Sequence, residues 1–205
     1  YARGWHITST CGIFGAAFGV GSLLKLKPEQ FLFAAGNAAV QSSGLVEALG
    51  SMAKSVSVGN AARLGMMSAL LAKADFDGPS EPLTGKRGFL RVYSDEPKLG
   101  ELTENLGEVW EIGKNTYKPY PAGVVLNPVI DASLEIASRP EFNAKAVKSI
   151  TLKGHSLLRQ RTDRSDVATG RESQVSAQHA IAIAFQRQKA GLDEFSDAAV
   201  AETLA

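Results

Sequence analysis

The stretch GWHITSTCGIFGAAFGVGSLLKL, residues 4–26, decides how this chain is read. From Cys11 onward, Gly and Ala are interleaved with Ile, Phe, Val and Leu without a proline, a composition that predicts a helix over 11–25 with Thr8, Ser9 or Thr10 as its cap. Side chains this small let neighbouring helices approach closely. Gly19 and Gly21 lie inside that helical pattern rather than after a strand, so they do not form a dinucleotide loop; close helix packing accounts for them better.

Working outward, Pro28 suits the first turn of a second helix running toward Gly50, and 59–74 reads as a third. Residues 75–88 carry Asp-Gly-Pro and Leu-Thr-Gly and read as a loop, followed by short helices over 88–94 and 99–106. Near Glu108 the pattern changes. Residues 109–112 and 147–152 alternate as strands, and 128–137 between them reads as a helix opened by Asn127. Residues 159–173 read as a polar loop, 175–189 as a long helix, and Asp197 as the start of another. The expected fold class is mainly α with an α+β part, divided into 1–106, a portion of a helical domain, and 107–205, an α+β unit.

A chain of 205 residues, 44% hydrophobic, is long enough to bury a core. Net charge is +1 with the basic residues spread along the chain, so no basic stripe for nucleic acid or anionic lipid is present. One cysteine, Cys11, can make no internal disulfide and cannot alone hold zinc or an iron–sulfur cluster, and the histidines lack metal-ligand spacing. No apolar run is long enough to span a bilayer, and no basic-then-apolar leader opens the chain. A cytoplasmic location is the expectation. The chain begins at Tyr1 and enters the Gly, Trp and His cluster at once, as expected of a segment cut from a longer protein.

Four residues are candidates for chemistry. His6 precedes a helix start, where backbone N–H groups and the helix dipole favour an anion such as a substrate carboxylate; the alternative is a loop histidine paired with a polar neighbour. Lys54 sits among Ser55, Ser57 and Asn60 on a polar approach to a helix, with a solvated surface lysine as its alternative. Lys118 opens Lys-Pro-Tyr-Pro, where prolines on both sides of Tyr120 restrict the backbone; the alternative is an interdomain linker. His179 lies on an otherwise apolar helix, as a proton carrier or a satisfied core group. Cys11, Met66 and Met67 read as packing residues, and His155 as exposed. Together the two lysines and two histidines suit a small polycarboxylate.

Taken in order, residues 4–26, AKSVSVGNAARLG (53–65), KPYPAGVVLNPVIDA (118–132) and SAQHAIAIAF (176–185) resemble the MmgE/PrpD family, which includes 2-methylcitrate dehydratase, cis-aconitate decarboxylase and iminodisuccinate epimerase. The resemblance implies a cofactor-free, metal-free homodimeric enzyme with a large helical domain and an inserted α+β lid, the active site lying between them. It implies that this chain carries only part of that enzyme. By the same resemblance, His6, Lys54, Lys118 and His179 fall on catalytic positions, with Tyr120 and Gly123 at the substrate. One departure is Gly123, where many members carry a histidine; it sets the chain apart from decarboxylase-like members and is more similar to the epimerase branch. The implied function is a lyase or isomerase on a small di- or tricarboxylate, against the alternative of a catalytically silent polycarboxylate-binding or dimer-forming remnant.

Overall fold

The computed structural model describes residues 3–203. The chain divides into two compact units, Tyr1–Gly113 and Lys114–Ala205, each described below by itself.

In the first unit, α1 (Ile7–Leu23), α2 (Pro28–Ala39) and α3 (Ala53–Lys73) pack together, and a short α4 (Phe89–Tyr93) closes over them. The close approach is made through small residues. A Cβ on Gly65 of α3 would lie 2.4 Å from the Ile13 carbonyl oxygen and 2.5 Å from Ala16 Cβ, so glycine is required where α3 meets α1. Ala17, Ala69, Ala72 and Ser68 are fully buried around this contact. A Cβ on Gly21 would press on side chains rather than backbone, 2.9 Å from the Phe31 ring and 3.1 Å from Leu26 Cδ1, whereas nothing lies within 4 Å of Gly19. Ile13, Phe14, Ala17, Ala38, Ala61 and Phe89 form one core. An aromatic series extends from it, Phe14 to Phe89 at 4.7 Å, Phe89 to Tyr93 at 4.3 Å and Tyr93 to Trp5 at 4.8 Å between ring centroids.

In the second unit, α5 (Asn127–Ala137) packs on α8 (Ala177–Arg187), with α6 (Ser156–Thr162), α7 (Gly170–Ser173) and α9 (Asp197–Thr203) around them. Ala122, Leu126, Ile130, Ala177, Ala180, Ala190 and Phe195 make its core, against which Tyr120, Leu134 and Leu158 pack. Thr169 and Glu172 close α7 with a reciprocal capping box.

The α+β expectation is corrected. Among the described residues no strand forms, and the β structure is one isolated antiparallel bridge, Trp5 to Leu45. Residues 109–112 do not extend; Glu111–Lys114 makes a 3-10 turn with Trp110 and Ile112 exposed. Residues 147–152 stay outside regular structure because a strand needs a ladder partner, and none lies beside them. The polar loop expected over 159–173 is confined to the residues between the end of α6 and the start of α7, which itself fills 170–173. Nor do Cys11, Met66 and Met67 pack: all three are exposed. Among the described residues, no helix is long and apolar enough to cross a membrane.

Candidate functional site

His6 is the N-cap of α1, and its own carbonyl accepts the N–H groups of Ser9 and Thr10 and the Thr10 hydroxyl. Its N–H donates to the Gly44 carbonyl at 3.1 Å, and Val46 N–H donates to the Gly4 carbonyl at 2.8 Å, so the segment after α2 clamps the residues that carry the imidazole. Gly44 has φ +144, and a Cβ there would lie 2.7 Å from Ser9 Cβ; this position takes glycine for both reasons. The result is a histidine only 2% exposed at the mouth of a helix whose first turn holds no acid. The N–H groups of Ile7 and Thr8 there have no intrahelical acceptor.

The His6 ring has one partner, Ser9 Oγ, 3.0 Å from Nδ1. Ser9 Oγ in turn donates to Ser57 Oγ at 3.0 Å, and Ser57 Oγ to the Lys54 carbonyl at 2.9 Å. Among the described residues Nε2 takes no hydrogen bond. Burial, and then the positive charge of Lys54, hold the imidazole below its ordinary value of 6.5, so it is neutral at neutral pH. Lys54 occupies the first turn of α3, the positive end of the dipole, where a cation is unfavourable in the absence of an anion. Its side chain is exposed and has no ion pair among the described residues.

The second unit carries the other candidates. Lys118 is exposed, and Nζ donates to the Ala122 carbonyl at 3.0 Å, folding the ammonium back over its own Lys-Pro-Tyr-Pro turn. Tyr120 packs on the core while its hydroxyl donates to Asp131 Oδ1 at 2.5 Å. That hydrogen bond, with burial and the Asp131 charge, pushes the phenol up to about 12. Gly123 has φ −58 and ψ 134, and a Cβ there would meet only Gln174 O at 3.6 Å and Val175 Cγ1 at 3.8 Å. Neither the backbone angles nor the room for a Cβ demands glycine at this position.

His179 is 3% exposed and both ring nitrogens are engaged. Nε2 lies 2.8 Å from the Glu194 carbonyl oxygen, which can only accept, so Nε2 carries a proton; Nδ1 is 3.1 Å from Thr203 Oγ1. His155 is exposed and caps α6, its Nδ1 accepting from Leu157 N–H. A groove of about 600 Å³ in this unit is lined by Ile136, Ile150, Leu152, Leu158, Ile181 and Phe185, and none of the candidate residues borders it. No three His, Cys, Asp or Glu side chains cluster among the described residues.

Sequence reasoning found His6 and Lys54 separately, and the structure brings them together. It missed Ser9, Ser57 and Asp131. The only signal for the serines was their polarity within AKSVSVGN and ITSTCG, while Asp131 sits eleven residues beyond the tyrosine it binds.

The family comparison names the class to which the two units belong. The MmgE/PrpD N-terminal domain matches residues 1–102 and the MmgE/PrpD C-terminal domain residues 120–203. The chain belongs to the MmgE/PrpD family, whose members are generally lyases or isomerases. No curated protein matches it.

Proposed function

We propose that this protein serves a cofactor-independent lyase or isomerase reaction on a small di- or tricarboxylate, of the 2-methylcitrate dehydratase or iminodisuccinate epimerase kind, begun by removal of a Cα proton. The observation that carries this reading is the buried His6, held neutral by burial and by the positive charge of Lys54, and joined through Ser9 and Ser57 to the Lys54 carbonyl. In the first step the Cα–H bond breaks, the proton passes to His6, and the electron pair moves into the adjoining carboxylate as an enediolate. A general base placed in this way contributes about 10² to 10⁴ in rate. Lys54 is assigned to a substrate carboxylate, where a cation aimed at developing negative charge is worth about 2.7–4 kcal/mol of barrier; for Lys118, in the second unit, the same kind of contact rests on the family resemblance of its Lys-Pro-Tyr-Pro turn.

The remaining candidates take supporting roles in this reading. Tyr120, committed to Asp131, fixes the turn that carries Lys118, and Gly123 stands where many relatives place a histidine. His179, with both nitrogens occupied, holds α8 to the Glu194 carbonyl and to Thr203. A homodimer is part of the proposal and is checked by sedimentation.

The test is turnover of a panel of polycarboxylates by Lys54→Ala and Lys118→Ala variants whose circular dichroism matches the unaltered protein. Each should lose about 10²- to 10³-fold in kcat. Unchanged turnover removes that lysine from the mechanism. Citrate binding without turnover by any form of the protein favours the silent, polycarboxylate-binding alternative.

A further inference from the structure

We infer that Ser9 and Ser57 are positioning residues that hold His6 in the tautomer protonated at Nδ1, leaving the Nε2 lone pair as its basic atom. This rests on the reading of His6 as the proton acceptor. Ser57 Oγ is 2.9 Å from the Lys54 carbonyl oxygen, which cannot donate, so the single hydroxyl proton of Ser57 is directed there. At the 3.0 Å contact between the two serines, Ser9 must then be the donor, and its single proton is also used. The remaining contact, 3.0 Å between Ser9 Oγ and His6 Nδ1, is a hydrogen bond only if Nδ1 carries the proton. Three bonds therefore point one way, from imidazole to a backbone carbonyl.

Burial makes the direction matter. Ser9 is 1% exposed and His6 2%, so bulk water does not compete for the contact between them. Gly44 packs so closely on Ser9 that the hydroxyl's neighbours are constrained on that side too. When Nε2 takes a proton, the Nδ1–H bond to Ser9 persists and strengthens, because a charged donor makes a stronger hydrogen bond. No proton has to travel along the chain. Its role is to choose which nitrogen is the base and to stabilise the imidazolium once formed.

Ser57 offers the cleaner test, being only half-buried and part of a long helix. Ser57→Val removes the acceptor of the Ser9 proton and frees that proton to turn onto Nδ1, which favours the Nε2–H tautomer. Ser57→Thr, of nearly the same shape as the valine, keeps the hydroxyl. Long-range ¹H–¹⁵N correlation spectra of the protein labelled at histidine, with His6→Gln identifying the His6 signals, should show a pyrrole-type Nδ1 and a pyridine-type Nε2. The two types should exchange places, wholly or in part, in Ser57→Val and return in Ser57→Thr. An Nε2–H tautomer in the unaltered protein, or identical spectra in the valine and threonine variants, would overturn the inference.

A catalytic histidine in the wrong tautomer can cost up to about 10⁴ in rate, so Ser57→Val should slow substrate Cα exchange by about tenfold or more with threonine restoring it. A tautomer that shifts while exchange stays constant supports the relay and overturns only the reading of His6 as base.

Discussion

At the scale of single residues, hydrogen-bond direction separates the two buried histidines, because burial does not. His6 and His179 are equally enclosed, yet His179 has spent both nitrogens on Glu194 and Thr203, whereas His6 has spent one. His6→Gln should therefore reduce turnover by about 10² or more, while His179→Gln should act first on thermal stability, as followed by calorimetry. Tyr120 gives a second residue-level prediction. Its phenol should titrate near 12 in alkaline ultraviolet difference spectra and move back toward 10 in Asp131→Asn, where the charge that opposes ionisation is gone. Of the candidate residues, the sequence singled out His6 and Lys54 in the first unit and Lys118 in the second, because a histidine before a helix, a lysine among serines and a lysine opening a Lys-Pro-Tyr-Pro turn are local signals. The serine relay was not legible, since Ser9 and Ser57 meet only once α1 and α3 have packed.

At the scale of elements, glycines of identical appearance in the sequence play opposite parts. Gly65 is wedged against the α1 backbone, so Gly65→Ala should destabilise the first unit by about 3 kcal/mol through overpacking. Gly19 faces open space in mid-helix, so Gly19→Ala should stabilise it by about 0.5–1 kcal/mol. Urea unfolding of the two variants checks both signs. Gly123→His should fold with stability changed by no more than about 1 kcal/mol, given its ordinary backbone angles and the room for a Cβ. Helix positions were largely readable from composition, proline and cap signals. Their limits were not: α2, expected to run toward Gly50, stops at Ala39, and α1 begins at Ile7 rather than Cys11 because Gly44 and Leu45 clamp the preceding residues and leave the His6 carbonyl as first acceptor. The expected strands failed for the same non-local reason, since alternation describes a strand's faces and says nothing of a partner. The Thr169 and Glu172 box that starts α7 was present in the sequence as a Thr-x-x-Glu signal inside a segment read as loop.

At the scale of the molecule, the depressed His6 value ties stability to pH. A histidine held below 6.5 binds fewer protons folded than unfolded, so its contribution is present in full above pH 6.5 and is lost as pH falls from there through the folded value. Stability of the first unit should thus fall more steeply on acidification in the unaltered protein than in His6→Gln. Both tryptophans, Trp5 and Trp110, belong to this unit, which makes their fluorescence its reporter. The role proposed for His6 Nε2 is removal of a Cα proton from a bound polycarboxylate. It is tested most directly by incubating di- and tricarboxylates with the protein in deuterated buffer and following deuterium at Cα by NMR. Incorporation by the unaltered protein that is lost in His6→Gln is the predicted result; incorporation that persists undiminished in His6→Gln would contradict it.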